Sequence, residues 1–166
     1  MANFVYLTGK AKWFKHNHAN KFGDYSHDIY LTDDSRAKLE ELKKGKSGVD
    51  GVRNQIKHDE DGYYVSIRRP QSKTIRGKVV GFAPPEVLSR DGKSLANLLV
   101  GNGSDITTKC EYYSYKKPFG EGRGSAIRWN STRVDNLVPF EPRRDFDEDQ
   151  AALVDGIDDQ PLQDEF

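Results

Sequence analysis

Between Phe4 and His16 the chain reads FVYLTGKAKWFKH, and its polarity alternates with a period of two residues. Val5, Leu7, Ala11 and Trp13 share one face, while Tyr6, Thr8, Lys10, Lys12 and Phe14 share the other, which predicts a long, half-buried strand. The second face is basic and aromatic. Gly9, in mid-strand, predicts a bulge or sharp bend of the kind a strongly curled sheet needs. After the polar loop KHNHANKFG, the segment YSHDIYL (25–31) forms a second strand with Tyr25, His27, Ile29 and Leu31 on one side. The period then changes. In TDDSRAKLEELKKG, Asp33 or Asp34 serves as cap, Leu39 and Leu42 lie three apart, lysines fill the last turn and Gly45 stops a short helix. The polar, glycine-rich stretch from Gly45 to Gly62 reads as a loop.

YYVSIRRP (63–70) is a third strand with Val65 and Ile67 inward and Tyr64, Ser66 and Arg68 outward, ended by Pro70. KVVGF and PEVLSRDGKSL supply further short strands, the second turning at Asp91 and Gly92. A tight GNGS turn (101–104) precedes DITTKCEYYSYKK, where Thr108, Cys110 and Tyr112 alternate with Lys109, Glu111, Tyr113 and Tyr115. The glycine-rich PFGEGRG (118–124) then leads into SAIRWNSTRVDNLVPF, with Ile127 and Trp129 opposing Arg128 and Asn130, so the last two strands form a hairpin with a long flexible finger. By register, Trp13 and Trp129 both belong to the core set. Strands outnumber helices by about five to one, with turn signals between them, which favours a mainly β fold, a small closed or half-open barrel.

The 166 residues, 35% of them apolar, suffice for one core. The longest apolar runs, such as LANLLV (95–100), fall far short of the roughly 20 residues of a membrane span, and no signal-like stretch follows Met1. A single cysteine, Cys110, excludes an internal disulfide and a multi-cysteine zinc site, and its inward position suits a small buried apolar group. Together these predict a cytoplasmic protein, and no membrane partner.

Charge divides the chain. Overall it is neutral, with 26 basic and 26 acidic side chains, yet residues 145–166 hold nine acids and no Lys or Arg. The first 144 residues therefore carry +9 and the tail −9. A basic body implies a polyanionic partner, and a terminal block of like charge implies a flexible interaction tail or a solubilising one. The predicted organisation is a nucleic-acid-binding domain over 1–144 and an acidic tail over 145–166.

On strand after strand the outward face interleaves aromatics with cations. Lys10, Lys12, Lys15, Arg68, Arg69, Lys109, Lys116, Arg123 and Arg128 are candidate phosphate contacts, and Tyr6, Phe14, Tyr64, Tyr113 and Tyr115 candidate base-stacking rings. Cations neutralise phosphates of any nucleic acid, whereas flat rings offer stacking only to unpaired bases, so the combination points to single strands. The HNHAN motif (16–20) lacks the spacing of a metal site and reads as exposed loop histidines, and neither GNGS nor GEGRG is followed by the helix a phosphate-cradling loop needs. No catalytic constellation, cofactor motif or metal set stands out, so no enzyme is predicted. A metal-dependent nuclease using His16 and His18, a protein-interaction module, and a general binder that also takes duplex DNA or RNA are the alternatives.

The order of these features resembles the single-stranded DNA-binding proteins of tailed phages. The basic aromatic first strand, YSHDIYLTDD running into a short helix, the GNGS turn feeding a long hairpin, and an acidic tail ending Asp164, Glu165 and Phe166 carry the resemblance. It implies a five-stranded OB-fold-like barrel with one short α-helix, which coats single-stranded DNA during replication, recombination or repair. It also implies that the tail tip docks onto replication proteins such as polymerase and competes with DNA for the protein's own groove. Homo-oligomerisation stays open.

Overall fold

The structure, a computed structural model, describes residues 3–45 and 48–139 of the chain. The acidic tail predicted over 145–166, with Asp164, Glu165 and Phe166, lies outside the described residues. The elements are β1 (Asn3–Lys15), β2 (Asp24–Leu31), α1 (Asp33–Leu42), β3 (Val49–Val52), β4 (Lys57–Asp59), β5 (Gly62–Pro70), β6 (Ser72–Ile75), β7 (Lys78–Gly81), β8 (Glu86–Ser89), β9 (Asp105–Lys116) and β10 (Arg123–Asn136). The principal sheet runs β3-β10-β9-β1-β2-β5-β4, with β8 also paired to β10, and β6 and β7 form a separate hairpin. The five long strands β1, β2, β5, β9 and β10 make an OB-fold-like barrel.

β1 curls through the whole arrangement, since Gly9 and Lys10 pair with Leu31 and Tyr30 of β2 on one side and with Ile106 and Asp105 of β9 on the other. Gly9 sits in regular register, so the expected bulge is not there. Its role is close approach: a Cβ at Gly9 would lie 1.9 Å from the Tyr30 carbonyl oxygen. The bulge falls instead between Lys12, opposite Asp28, and Lys15, opposite Ser26, where β1 spends one residue more than β2. Trp13 adopts a positive φ of 54°, and its freed backbone N–H donates to Asn102 Oδ1 at 2.9 Å. An inserted residue reverses the inward and outward sequence of side chains beyond it. Trp13 therefore turns out, 56% exposed, and Phe14 turns in, 7% exposed. Both assignments made from strict alternation are reversed.

Leu7, Ile29, Val65, Ile67, Ile106 and Trp129 are fully buried at the centre, each contributing roughly 1.5–3 kcal/mol relative to exposure. A polar chain threads this core. The Trp129 indole N–H donates to Thr132 Oγ1 (2.8 Å), Thr132 and Thr108 share a hydrogen bond (2.9 Å), and Thr108 Oγ1 meets His27 Nε2 (3.0 Å).

In α1 the cap is Thr32, whose Oγ1 accepts from Ser35 N, while Asp33 and Asp34 occupy the first turn, where negative charge complements the helix dipole. The stretch from Gly45 to Gly62 is not the plain loop its composition suggests, because β3 and β4 both fall within it. β3 docks parallel to β10, and just beyond it Asn54 accepts from Ile127 N (2.9 Å) and donates to Ile127 O (3.2 Å), standing in for a ladder pair. No strand ladder joins β5 to β10 among the described residues. Arg69 crosses that seam, its Nη1 donating to Trp129 O at 3.4 Å. The barrel is thus half open along one line. No helix among the described residues is long and apolar enough to cross a membrane.

Candidate nucleic-acid interface

The open seam between β5 and β10 is where a groove forms. It encloses about 610 Å³, with Ser66 and Arg68 of β5 on one wall and Tyr113 of β9 and Arg128 of β10 on the other. Arg53, Asn54, Gln55 and Lys57, in the segment running from β3 into β4, and Lys73 of β6 also line it. Five cations thus meet around one concavity whose lining holds a single carboxylate, Asp24. Such a trough concentrates positive potential between low-dielectric walls and favours an extended polyanion.

Rings flank the groove on both sides. Toward the β9–β10 hairpin, the Arg128 guanidinium lies 4.8 Å from the centre of Tyr113, the Arg53 guanidinium 5.1 Å from that of Tyr115, and the two tyrosines 6.2 Å from each other. Gly124 makes room for this arrangement, since a Cβ there would stand 2.5 Å from the Tyr115 ring. On the other side, two positions beyond Ser66 along β5 and so about 7 Å away, Tyr64 packs on Tyr30 with centroids 4.9 Å apart. Lys57 Nζ stands 6.0 Å from the Tyr64 centroid, while Lys12 Nζ lies 5.7 Å from Tyr30 and 5.5 Å from the exposed Trp13. Phe119, in the β9–β10 finger, and Phe22, in the β1–β2 loop, are exposed at 89% and 73%.

Several of these cations already hold carboxylates. Arg128 Nη2 donates to Glu111 Oε1 at 2.7 Å, Lys12 Nζ to Asp61 at 3.2 Å and Lys10 Nζ to Asp105 at 2.8 Å. The Arg128 Nε is buried with no hydrogen-bond partner among the described residues. Asp28, opposite Ser66 on β2 and accepting from its hydroxyl at 2.6 Å, has its carboxyl pushed above the usual range by burial. The Lys10 ammonium holds the Asp105 carboxyl below that range.

The residues marked out by sequence fall into three groups. Arg68, Tyr113 and Arg128 line the groove, with Lys12, Tyr64 and Tyr115 in the flanking clusters. Tyr6 and Lys109 face each other across β1 and β9, where Tyr6 is half exposed and Lys109 Nζ sits 4.0 Å over the Phe4 ring, while Lys10 stands opposite Tyr30 with its Nζ on Asp105. Lys15 ends β1 opposite Ser26, Lys116 is exposed at the end of β9, and Arg123 is tied to Ser114 through its side-chain oxygen and its carbonyl. Two residues leave the set. Phe14 belongs to the core, where it packs against His16, His27 and Trp129, because the bulge turned it inward. The Arg69 guanidinium is taken up by the Ala83 and Trp129 carbonyls, so it bridges the seam.

Sequence reasoning missed Arg53, Lys57, Lys73, Tyr30 and Trp13. Tyr30 faces outward on a strand whose inward face was read correctly, so alternation alone marks it. His16 is buried and pairs its Nε2 with the Leu95 carbonyl, contrary to the expected exposed loop histidine. Among the described residues no three His, Cys, Asp or Glu side chains gather in a way that could hold a metal.

No protein-family profile matches the chain, and no curated protein matches it by sequence. Its architecture does have counterparts. The crystal structure of gp2.5, a single-stranded DNA-binding protein encoded by bacteriophage T7, superimposes with a TM-score of 0.56 at 16% identity, over 92% of this chain and 94% of that one. The single-stranded DNA-binding protein of bacteriophage Enc34 gives 0.48 at 13% identity over 85% and 86%, and its complex with single-stranded DNA 0.46 at 13% over 83% and 89%. The chain shares the fold of the T7 protein over most of its length, as expected of the phage single-stranded DNA-binding type.

Proposed function

We propose that this protein binds single-stranded DNA along the β5–β10 seam, without catalysis, and coats it during phage DNA replication, recombination or repair in the host cytoplasm. The observation that carries this reading is the groove, with five cations, one carboxylate and the Tyr113 ring at its wall, and ring clusters on either side. Phosphate contacts alone favour duplex and single strands alike. The rings decide between them, because stacking of roughly 1–3 kcal/mol per base is open only to unpaired bases. The fold shared with the T7 protein, which is itself a single-stranded DNA-binding protein, supports the same assignment. In the OB architecture generally, the face of the second and third barrel strands and the adjoining loops take oligonucleotides, and β2 and β5 occupy that place here.

Arg53, Lys57, Arg68, Lys73 and Arg128 hold phosphates in this account, and Tyr64, Tyr113 and Tyr115 stack bases, with Trp13 and Tyr30 extending the platform. The tail residues Asp164, Glu165 and Phe166 recruit replication proteins such as polymerase, the ring filling an apolar pocket while the carboxylates meet basic residues. The test is a competition titration of one fluorescent oligothymidine against duplex DNA and RNA at two salt concentrations. The oligothymidine should win, with log K falling by roughly 0.7 per neutralised phosphate for each decade of salt. Equal competition by duplex makes the protein a general DNA binder, and no binding at all removes the reading. Cleavage of the oligonucleotide in the presence of magnesium, manganese or zinc would show an enzyme instead.

A further inference from the structure

The β6–β7 hairpin stands apart from the barrel. Among the described residues its strands pair only with each other, and residues 72–74 and 76–81 are all exposed. At its base Gln71 N donates to Gly23 O and Phe82 N to Gln71 O, both at 2.9 Å, while its tip turns at Arg76 and Gly77 with φ values of 52° and 78°. Two consecutive positive φ angles in a two-residue connection make a tight turn whose twist matches that of its strands, so the hairpin is a defined element. Across residues 71–84 the chain carries Lys73, Arg76 and Lys78 and no Asp or Glu.

The pairing fixes where those cations go. Lys73 lies opposite Val80, and Lys78 is two positions from Val80 on the same strand, so Lys73, Lys78 and Val80 share one face. Lys73 lines the seam groove. Lys78 stands on the same face one step nearer the tip, and Arg76 caps the end. The groove wall therefore continues outward as a line of three cations with no acid among them.

We propose that this hairpin is a second nucleic-acid-binding element, an arm that carries the strand's phosphates beyond the seam groove. It rests on the groove being the nucleic-acid site, and adds Lys78 and Arg76 to it. A second copy of this chain is a poorer occupant, because two such arms bring three cations each together, and lysines on an exposed edge discourage strand pairing.

The experiment uses the full chain with Arg76→Asn and Lys78→Thr together, leaving Lys73 in the groove. Asparagine tolerates the positive φ and threonine suits a strand, so the melting temperature should not move. Affinity is measured for the shortest oligothymidine that wild type binds and for one several times longer. The longer oligonucleotide should bind on the order of tenfold more weakly at low salt, with a salt slope shallower by about 1.4, and the short one should be unaffected. Unchanged binding at both lengths, or an equal loss at both, overturns the arm while the groove stands. A wild type that binds neither oligonucleotide, or that is indifferent to Tyr113→Ala, overturns the groove and the arm with it. If Val79→Lys converts a dimer to a monomer while the double variant binds both lengths like wild type, the hairpin serves self-association and the arm is wrong.

Discussion

His27 sits at the centre of the barrel without a charged partner, its ring 4.8 Å from Phe14 and 4.2 Å from Trp129. Burial drives its pKa down from 6.5 to about 3, and His16 nearby is lowered as well, chiefly by desolvation. Both bases are therefore neutral when folded and protonate more readily when unfolded. Their contribution is complete above the unfolded value near 6.5 and is lost as pH falls below it, for His27 toward about 3. Through His27, stability should decline in that window by up to about 1.4 kcal/mol per pH unit, and His27→Gln should flatten the decline in urea melts at successive pH values. The neighbouring pair Trp13 and Phe14 separates packing from binding. Phe14→Ala should cost about 3–5 kcal/mol of stability in the same melts. Trp13→Ala should leave stability nearly unchanged and weaken oligothymidine binding by about 1–3 kcal/mol if a base stacks there. The reverse outcome would mean that the bulge does not turn these residues as described. Nothing local in KAKWFKH announces that bulge: it depends on Asn102, far along the chain, taking the freed Trp13 N–H. Strict alternation therefore placed both rings on the wrong sides.

Elements with an uninterrupted period were legible. β2, β5 and β9 run as their alternation says, and β10 does so from Ile127 to Asn130 before its first register shift, so the groove residues Arg68, Tyr113 and Arg128 could be named from sequence. Arg53, Lys57 and Lys73 could not, because the short segments that bear them show no strand period, and the one that carries Arg53 and Lys57 is held by docking on β10 and β5. Asn54 is the clearest case, its side-chain amide completing both backbone groups of Ile127. Asn54→Ala leaves these part-buried groups unpaired, which should cost about 1–3 kcal/mol in chemical denaturation. It should also loosen the Arg53–Lys57 wall and weaken DNA binding beyond what loss of one neutral side chain explains. Unaltered stability would show that this wall does not depend on the amide bridge. Gly9 was read correctly as special but for another reason, since the strand crossing at Tyr30 leaves no space for a Cβ.

For the whole molecule, the proposed behaviour in solution turns on charge: residues 1–144 carry +9 and residues 145–166 carry −9. On that proposal the tethered anion meets the groove at an effective concentration on the order of millimolar, at which even weak docking would compete with DNA. Deleting residues 145–166 should tighten oligothymidine binding at low salt and matter little at high salt; unchanged or weaker binding would assign the tail to partners or solubility alone. The internal ion pairs work in the same direction, since Glu111 and Asp61 already hold Arg128 and Lys12. Above both stands the claim that the half-open seam presents rings and cations together to unpaired bases. The most direct measurement is an equilibrium titration of fluorescent oligothymidine with the Tyr64→Ala, Tyr113→Ala, Tyr115→Ala triple variant beside wild type, with folding checked by circular dichroism. A folded variant that loses at least the roughly 1–3 kcal/mol of one stacked base, while its salt slope stays the same, is the predicted result. A folded variant that binds oligothymidine as tightly as wild type contradicts the account.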